Sequence, residues 1–274
     1  MIRETRSKNV SKAMPSEPQR PVVFCSFYLA VTILLMSLQP MAHAGDRRFA
    51  FLYEATTTPP GTVEYEQFVT WKKSKKTDSD FDRFDFRHEI EFGLTDHLQM
   101  GIYLADWRYQ DGGSVRNDRA QYRDTAVELI YNLSNPTTDP LGMALYGEVK
   151  FGDELAELEG KFIAQKNIGP WTIAYNATIE AEWEGTEYDE DKGEFEQTFG
   201  VSYQLSPHFL MGAELLHEVE FDDWEHTGRN VMYLGPNFSY RSKGWFVTAA
   251  PLFQISDVDG EADFLTRVIV GIEF

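Results

Sequence analysis

The sequence predicts an all-β protein: a transmembrane, antiparallel, up-and-down β-barrel of about twelve strands that follows a cleaved signal peptide. Three observations carry this. A basic stretch, an apolar run and a small-residue site follow one another at the start. After residue 61, apolar and polar residues alternate with the strand period of two through about twelve segments of roughly ten residues. The last segment, Phe264-Leu-Thr-Arg-Val-Ile-Val-Gly-Ile-Glu-Phe274, ends the chain on an aromatic residue.

The leader comes first in order. Arg3, Arg6, Lys8, Lys12 and Arg20 precede the apolar run Val22–Leu38, and Ala42-His43-Ala44 follows it. Cleavage is expected between Ala44 and Gly45, which makes residues 1–44 a signal peptide. The whole chain has 274 residues, 25 Lys+Arg and 44 Asp+Glu. Five basic and two acidic residues leave with the leader, so the mature chain of 230 residues carries 20 basic and 42 acidic side chains, a net charge of −22. The single cysteine, Cys25, lies near the start of the apolar run and not at its end, where a lipoprotein cysteine would stand. Nucleic acid is excluded as a partner, because phosphate affinity needs basic patches. A disulfide framework and a cysteine zinc site are excluded in the mature chain. No second apolar run has the roughly 20 residues of a membrane helix.

Residues 45–61 contain Phe49-Ala-Phe-Leu-Tyr53 and Thr56-Thr-Thr-Pro-Pro-Gly61. A thirteenth strand here would put the termini on opposite sides, so the segment is either a periplasmic lead or an insertion into the lumen. The barrel proper is expected over residues 62–274, with strands near 62–72, 80–92, 98–109, 120–133, 141–152, 155–166, 171–184, 194–205, 209–221, 229–240, 245–256 and 264–274. The clearest alternation is in Trp171–Glu184, where Trp171, Ile173, Tyr175, Ala177, Ile179, Ala181 and Trp183 share one face. Thr172, Asn176, Thr178, Glu180, Glu182 and Glu184 share the other. Joins are expected to alternate between long, charged loops (73–79, 110–119, 185–193, 222–228, 257–263) and tight turns rich in Gly, Pro, Asn and Ser. That pattern, an even strand count and rings at the segment ends (Trp71, Trp171, Trp183, Trp245, Phe274) match a bacterial outer-membrane barrel with both termini in the periplasm.

Glu91-Phe-Gly-Leu-Thr-Asp-His-Leu-Gln-Met-Gly-Ile-Tyr103 and Tyr203-Gln-Leu-Ser-Pro-His-Phe-Leu-Met-Gly-Ala-Glu214 are strand–turn–strand units. They resemble a recurrent unit of the phenol-degradation MetA-like outer-membrane barrels and related uncharacterised families. The C-terminal strand resembles the signal, ending in Phe274, that the outer-membrane assembly machinery reads. The resemblance implies a barrel and transport of small molecules across the outer membrane. It supplies no catalytic residues.

If the apolar faces meet lipid, the opposite faces line a lumen. The acidic candidates there are Glu64, Glu66, Asp85, Glu89, Glu91, Glu128, Glu148, Glu157, Glu159, Glu180, Glu182, Glu194, Glu196, Glu214 and Glu218; the basic ones are Arg87, Lys150, Lys161 and Arg267. A wet, negatively lined passage favours cations over anions. Pairing around a 185–193 loop would set Glu182 opposite Glu196 and Glu184 opposite Glu194, like charges that need water, a cation or protonation. Lys72, Lys73, Lys75 and Lys76 form a basic run beside Trp71 and are candidates to touch lipopolysaccharide phosphates, or a solvated loop tip. Asp257-Val-Asp259-Gly-Glu261-Ala-Asp263 lacks the order of a calcium loop, and no metal or cofactor is assigned. No G-x-S-x-G and no H-E-x-x-H occurs, and His88 and His217, on the lipid face, belong to no catalytic constellation. The expectation is a narrow, passive, cation-leaning channel for small solutes. The alternatives are a non-conducting structural or adhesive barrel with acidic loops, and an outer-membrane enzyme.

Overall fold

The structure, a computed structural model, describes residues 47–111, 120–188, 190–222 and 224–274. The signal peptide and the Ala44/Gly45 cleavage site lie outside the described residues. Twelve strands follow in order: β1 (Val63–Lys75), β2 (Asp78–Thr95), β3 (Leu98–Asp111), β4 (Ala120–Ser134), β5 (Gly142–Gly152), β6 (Leu155–Ile168), β7 (Trp171–Glu184), β8 (Glu190–Gln204), β9 (Phe209–Asp222), β10 (His226–Ser242), β11 (Trp245–Gln254) and β12 (Ala262–Glu273). Each pairs antiparallel with the next, and β1 pairs with β12, closing the sheet. Closure removes the edges, so every strand finds backbone partners on both sides. The seam is completed by the Phe274 N–H, which donates to the Val63 carbonyl at 2.8 Å.

The period-two pattern decides which way each side chain points. In β4, Ala126, Glu128 and Ile130 are buried while Val127, Leu129 and Tyr131 are exposed; β7 buries Thr172, Ala174, Asn176 and Thr178 and exposes Trp171, Ile173 and Ile179. Large apolar side chains thus face outward and carboxylates inward, the inverse of a water-soluble protein. Two aromatic belts bound the outward band. At one edge Trp171 packs on Tyr203 and Tyr240 on Trp245, with ring centroids 4.7 and 5.4 Å apart. At the other, Trp71 stacks on Phe84 at 5.8 Å and Phe86 on Trp107 at 3.9 Å. Along β7, Trp171 and Trp183 mark the two belts. Twelve residues at ~3.3 Å each, tilted by ~40°, span roughly 30 Å, the thickness of a bilayer's hydrocarbon core. His88 and His217 do face outward, in the middle of that band. They are satisfied locally: His88 by Tyr65 (3.0 Å) and Trp107 (3.2 Å), His217 by Gln197 (3.3 Å) and Asn230 (3.1 Å). Such closure is what a polar group in hydrocarbon requires.

Two expectations are corrected. The strands run further into some charged joins than expected: only 76–77 separates β1 from β2, β8 begins already at Glu190, and β10 at His226. The reason is that these stretches run past the apolar band, where both faces are wet and the alternation fades although the ladder continues. A longer β8 also moves its register by four. Glu180, not Glu184, stands opposite Glu194; Glu182 faces Lys192 and Glu196 faces Thr178. Neither expected like-charge pair forms: Glu182 gains an ion pair with Lys192 at 3.9 Å, and Glu194 meets Glu180 instead.

Candidate functional site

Residues 47–61 lie inside the barrel and make up the most heavily bonded feature of its lumen. The segment enters at the edge where β1 begins and β12 ends, and passes the inner wall strand by strand. The Arg47 carbonyl accepts from Ser239 (2.9 Å) and Thr248 (2.8 Å), and the Arg48 carbonyl from Asn237 (2.8 Å). The Ala50 and Phe51 amides donate to the two oxygens of Glu214 at 2.8 and 2.7 Å. Asn176 holds Tyr53 at both its amide (2.7 Å) and its carbonyl (3.0 Å). Ala55 donates to Gln165 (2.7 Å) and accepts from Asn132 (2.5 Å), and the Thr58 amide donates to Gln99 (2.8 Å). So polar side chains from β11, β10, β9, β7, β6, β4 and β3 pair with a segment too short to join the sheet. This satisfies backbone groups that would otherwise be buried without partners.

Apolar contacts fix the same path. Phe49, Leu52 and Ala174 form one cluster, while Tyr53 and Ala55 pack on Ile130, Ala144, Tyr146 and Ile163. Gly200 makes room: a Cβ there would lie 2.6 Å from the Phe49 ring. Phe51 sits under the Arg267 guanidinium at 4.4 Å, and the Tyr53 ring has the Lys161 ammonium 4.3 Å from its centroid. Burial raises the Tyr53 phenol well above its ordinary range, and the Glu128 carboxylate raises it further, so its hydroxyl stays protonated and donates.

The segment separates two spaces. On the turn side a vestibule of about 1020 Å³ is lined by Arg47, Arg48, Glu64, Glu66, Glu91, Gln99 and the 135–137 and 207–208 turns. Above the segment lies a chamber of about 150 Å³, lined by Arg87, Lys150, Lys161, Arg267, Glu159, Glu180, Glu194 and Glu196.

The glutamates expected in the lumen point inward, among them Glu64, Glu66, Glu89, Glu91, Glu128, Glu148, Glu157, Glu180, Glu182, Glu194, Glu196 and Glu214, as do Arg87, Lys150, Lys161 and Arg267. The structure sorts them. Arg87 bridges Asp106 (2.6 Å) and Glu148 (3.2 Å). Lys150 reaches Glu148, Glu157, Glu159 and Glu180, and Lys161 pairs with Glu159 at 2.8 Å. Nearer the far mouth, Arg229 joins Glu194, Glu220 and Glu261 at 3.1–3.3 Å, and Asp85 is held between Arg83 and Arg108. The four lysines of the basic run do not form one patch. Lys72 is on the inward face of β1; Lys73 lies by Trp71 and pairs with Asp82 at 3.2 Å; Lys75 caps the Phe81 ring; Lys76 pairs with Asp257 and Asp259.

Sequence reasoning passed over Arg47, Arg48, Gln99, Asn176, Gln165 and Asn237. The signal for the last four was available: an uncharged amide on the inward face, about one per strand, where a wet wall has no need of one.

The chain belongs to a family of unknown function, DUF6662, whose profile matches residues 41–266. No curated protein matches this sequence. Among solved structures the chain is similar to an outer-membrane channel from Pseudomonas putida F1, with 10% identity, 87% of this chain and 100% of that one covered, and a TM-score of 0.57. It is also similar to the NanC porin, at 8% identity, 77% and 98% coverage and a TM-score of 0.52. At such identities the likeness establishes the fold, that of an outer-membrane barrel.

Proposed function

We propose that this protein is an outer-membrane channel for small solutes, narrowed by residues 47–61 and leaning towards cations. The observation that carries this reading is a charged, partly open interior enclosed by a closed barrel with a bilayer-thick apolar belt. Such a wall is expelled from lipid if turned outward and is useful only if something polar passes or binds inside. The negative excess of the lining, strongest at Glu64, Glu66, Glu89, Glu91 and Glu128, raises the local concentration of cations. In this reading residues 1–44 are removed on export, both termini lie in the periplasm, the β12 strand ending in Phe274 addresses the assembly machinery, and Lys73, level with the Trp71 belt, meets lipopolysaccharide phosphates. Two solved channels of the same fold agree with the reading.

The test is planar-bilayer recording of the refolded chain from Gly45 to Phe274 under a salt gradient. Small discrete openings with a reversal potential of cationic sign are expected. Silence from protein shown to be folded and inserted would favour the alternative, a barrel closed by its own segment.

A further inference from the structure

The wall on either side of Gly101 carries one of several lumenal carboxylate triads, and it differs from the others in holding a buried glutamate, Glu89, with neither oxygen hydrogen-bonded among the described residues. Register places Glu91 of β2, Gly101 of β3 and Glu128 of β4 side by side, with Glu89 one step along on β2. One oxygen from each of Glu89, Glu91 and Glu128 falls within 4.8 Å of the other two, and all three side chains are buried. Gly101 is what allows this: a Cβ there would stand 2.2 Å from Glu89 Oε1 and 2.5 Å from Glu128 Cγ. A second, separate observation points to a ligand. Glu89 is 0% exposed, and among the described residues neither of its oxygens has a hydrogen-bond partner; Glu128 Oε1 lacks one as well.

The cations nearby are committed elsewhere. Arg47 grips Glu66 through Nε and a terminal nitrogen at 2.8–3.0 Å. Arg87 is turned to Asp106 and Glu148. The carboxylates of Glu64 and Glu66 adjoin Glu91 on the other side, and neutral donors reach the cluster: Tyr103 and Tyr53 to Glu128 Oε2 at 2.8 and 3.3 Å, and the Thr58 hydroxyl to Glu91 at 3.0 Å. Three buried carboxylates in contact, one of them with no donor, need a counter-ion or protons.

We propose that Glu89, Glu91 and Glu128 form a binding site for a hard divalent cation of the calcium class. The ligand set is all oxygen, which suits calcium or magnesium and not a soft metal. The three oxygens lie within 4.8 Å of one another, so one ion can touch all three. Calcium accepts irregular oxygen geometry of this kind, whereas magnesium demands a near-ideal octahedron and keeps several waters. Three carboxylates, each able to bind through one or two oxygens, supply three to six ligands, within reach of calcium's six to eight. The site does not depend on whether the barrel conducts.

Terbium serves as the probe, since Tyr53 and Tyr103 lie beside the cluster and can sensitise its luminescence. The refolded chain from Gly45 to Phe274 should show saturable tyrosine-excited terbium emission that calcium displaces. E89Q should weaken it on the order of tenfold or more, as loss of a direct ligand costs at least what loss of an outer-sphere partner does. E187Q, in the exposed β7–β8 hairpin, should bind as the parent does. Calcium should raise the parent's melting temperature by mass action and leave that of E89Q unchanged. In chelator, E89Q should be at least as heat-stable as the parent, because it removes a like charge. If E89Q does not fold, E128Q is read in the same way, and the calcium dependence of the parent's melting needs no variant. Absence of calcium-displaceable emission from folded parent protein would overturn the proposal and leave shared protons as the explanation. Equal terbium affinity in E89Q would overturn it too.

Discussion

Two halves of the inner wall use the same residue in opposite ways. Along β5–β7, Glu148, Glu157, Glu159 and Glu180 surround Lys150, with Lys161 completing the net. Along β1–β4, Arg47, which comes from the segment and not from the wall, grips Glu66, while Glu89, Glu91 and Glu128 crowd together in the buried wall beside it. The first arrangement is a cross-link that fixes strand positions. The second keeps an excess of negative charge next to the segment and the vestibule. A lumenal glutamate is therefore read by its counter-charge and not by its sign alone.

The sharpest way to break the contrast is to remove the cation of the first half. Lys150→Met leaves several buried carboxylates without a partner, and a loss of about 3–5 kcal/mol is expected, read as a lower urea midpoint of the refolded barrel. Glu89→Gln, in the second half, removes one charge from an over-negative group and breaks no hydrogen bond, so a change within about 1 kcal/mol is expected in the same assay with chelator present. A smaller thermodynamic but larger functional effect is expected from E214A/N176A. This pair releases the Ala50, Phe51 and Tyr53 backbone groups, hydrogen bonds worth about 0.5–3 kcal/mol each, and should raise single-channel conductance while the barrel stays folded. Glu180→Gln with Glu194→Gln, which face each other across β7–β8, should move the reversal potential towards zero and leave stability nearly unchanged. Least of all is expected of Lys73→Ala: its pair with Asp82 is well exposed, and such pairs contribute at most about 1 kcal/mol, so any change should appear only in lipopolysaccharide binding.

The strands were legible because lipid on one face and water on the other impose the period of two, and the expected and observed strand spans agree in number and order from β1 to β12. Loops were less so. Past the apolar band the alternation disappears although the backbone ladder does not, which is why 185–193 read as loop and the β7–β8 register came out four residues off. The lumen-facing glutamates followed from parity, but their sorting did not: Lys150 meets Glu180 and Arg87 meets Glu148 only because non-adjacent strands curve together. Least legible was the course of residues 47–61. Their partners are side chains scattered over seven strands, from Gln99 to Thr248, and nothing local in Phe49-Ala-Phe-Leu-Tyr53 names them.

The account rests on the segment being what narrows the lumen. The most direct measurement is single-channel conductance of the refolded chain from Gly45 to Phe274 beside its E214A/N176A variant in the same bilayer. A severalfold larger unit conductance in the variant, with cationic reversal retained, is the predicted result. Identical conductance in two proteins shown to be folded would contradict it.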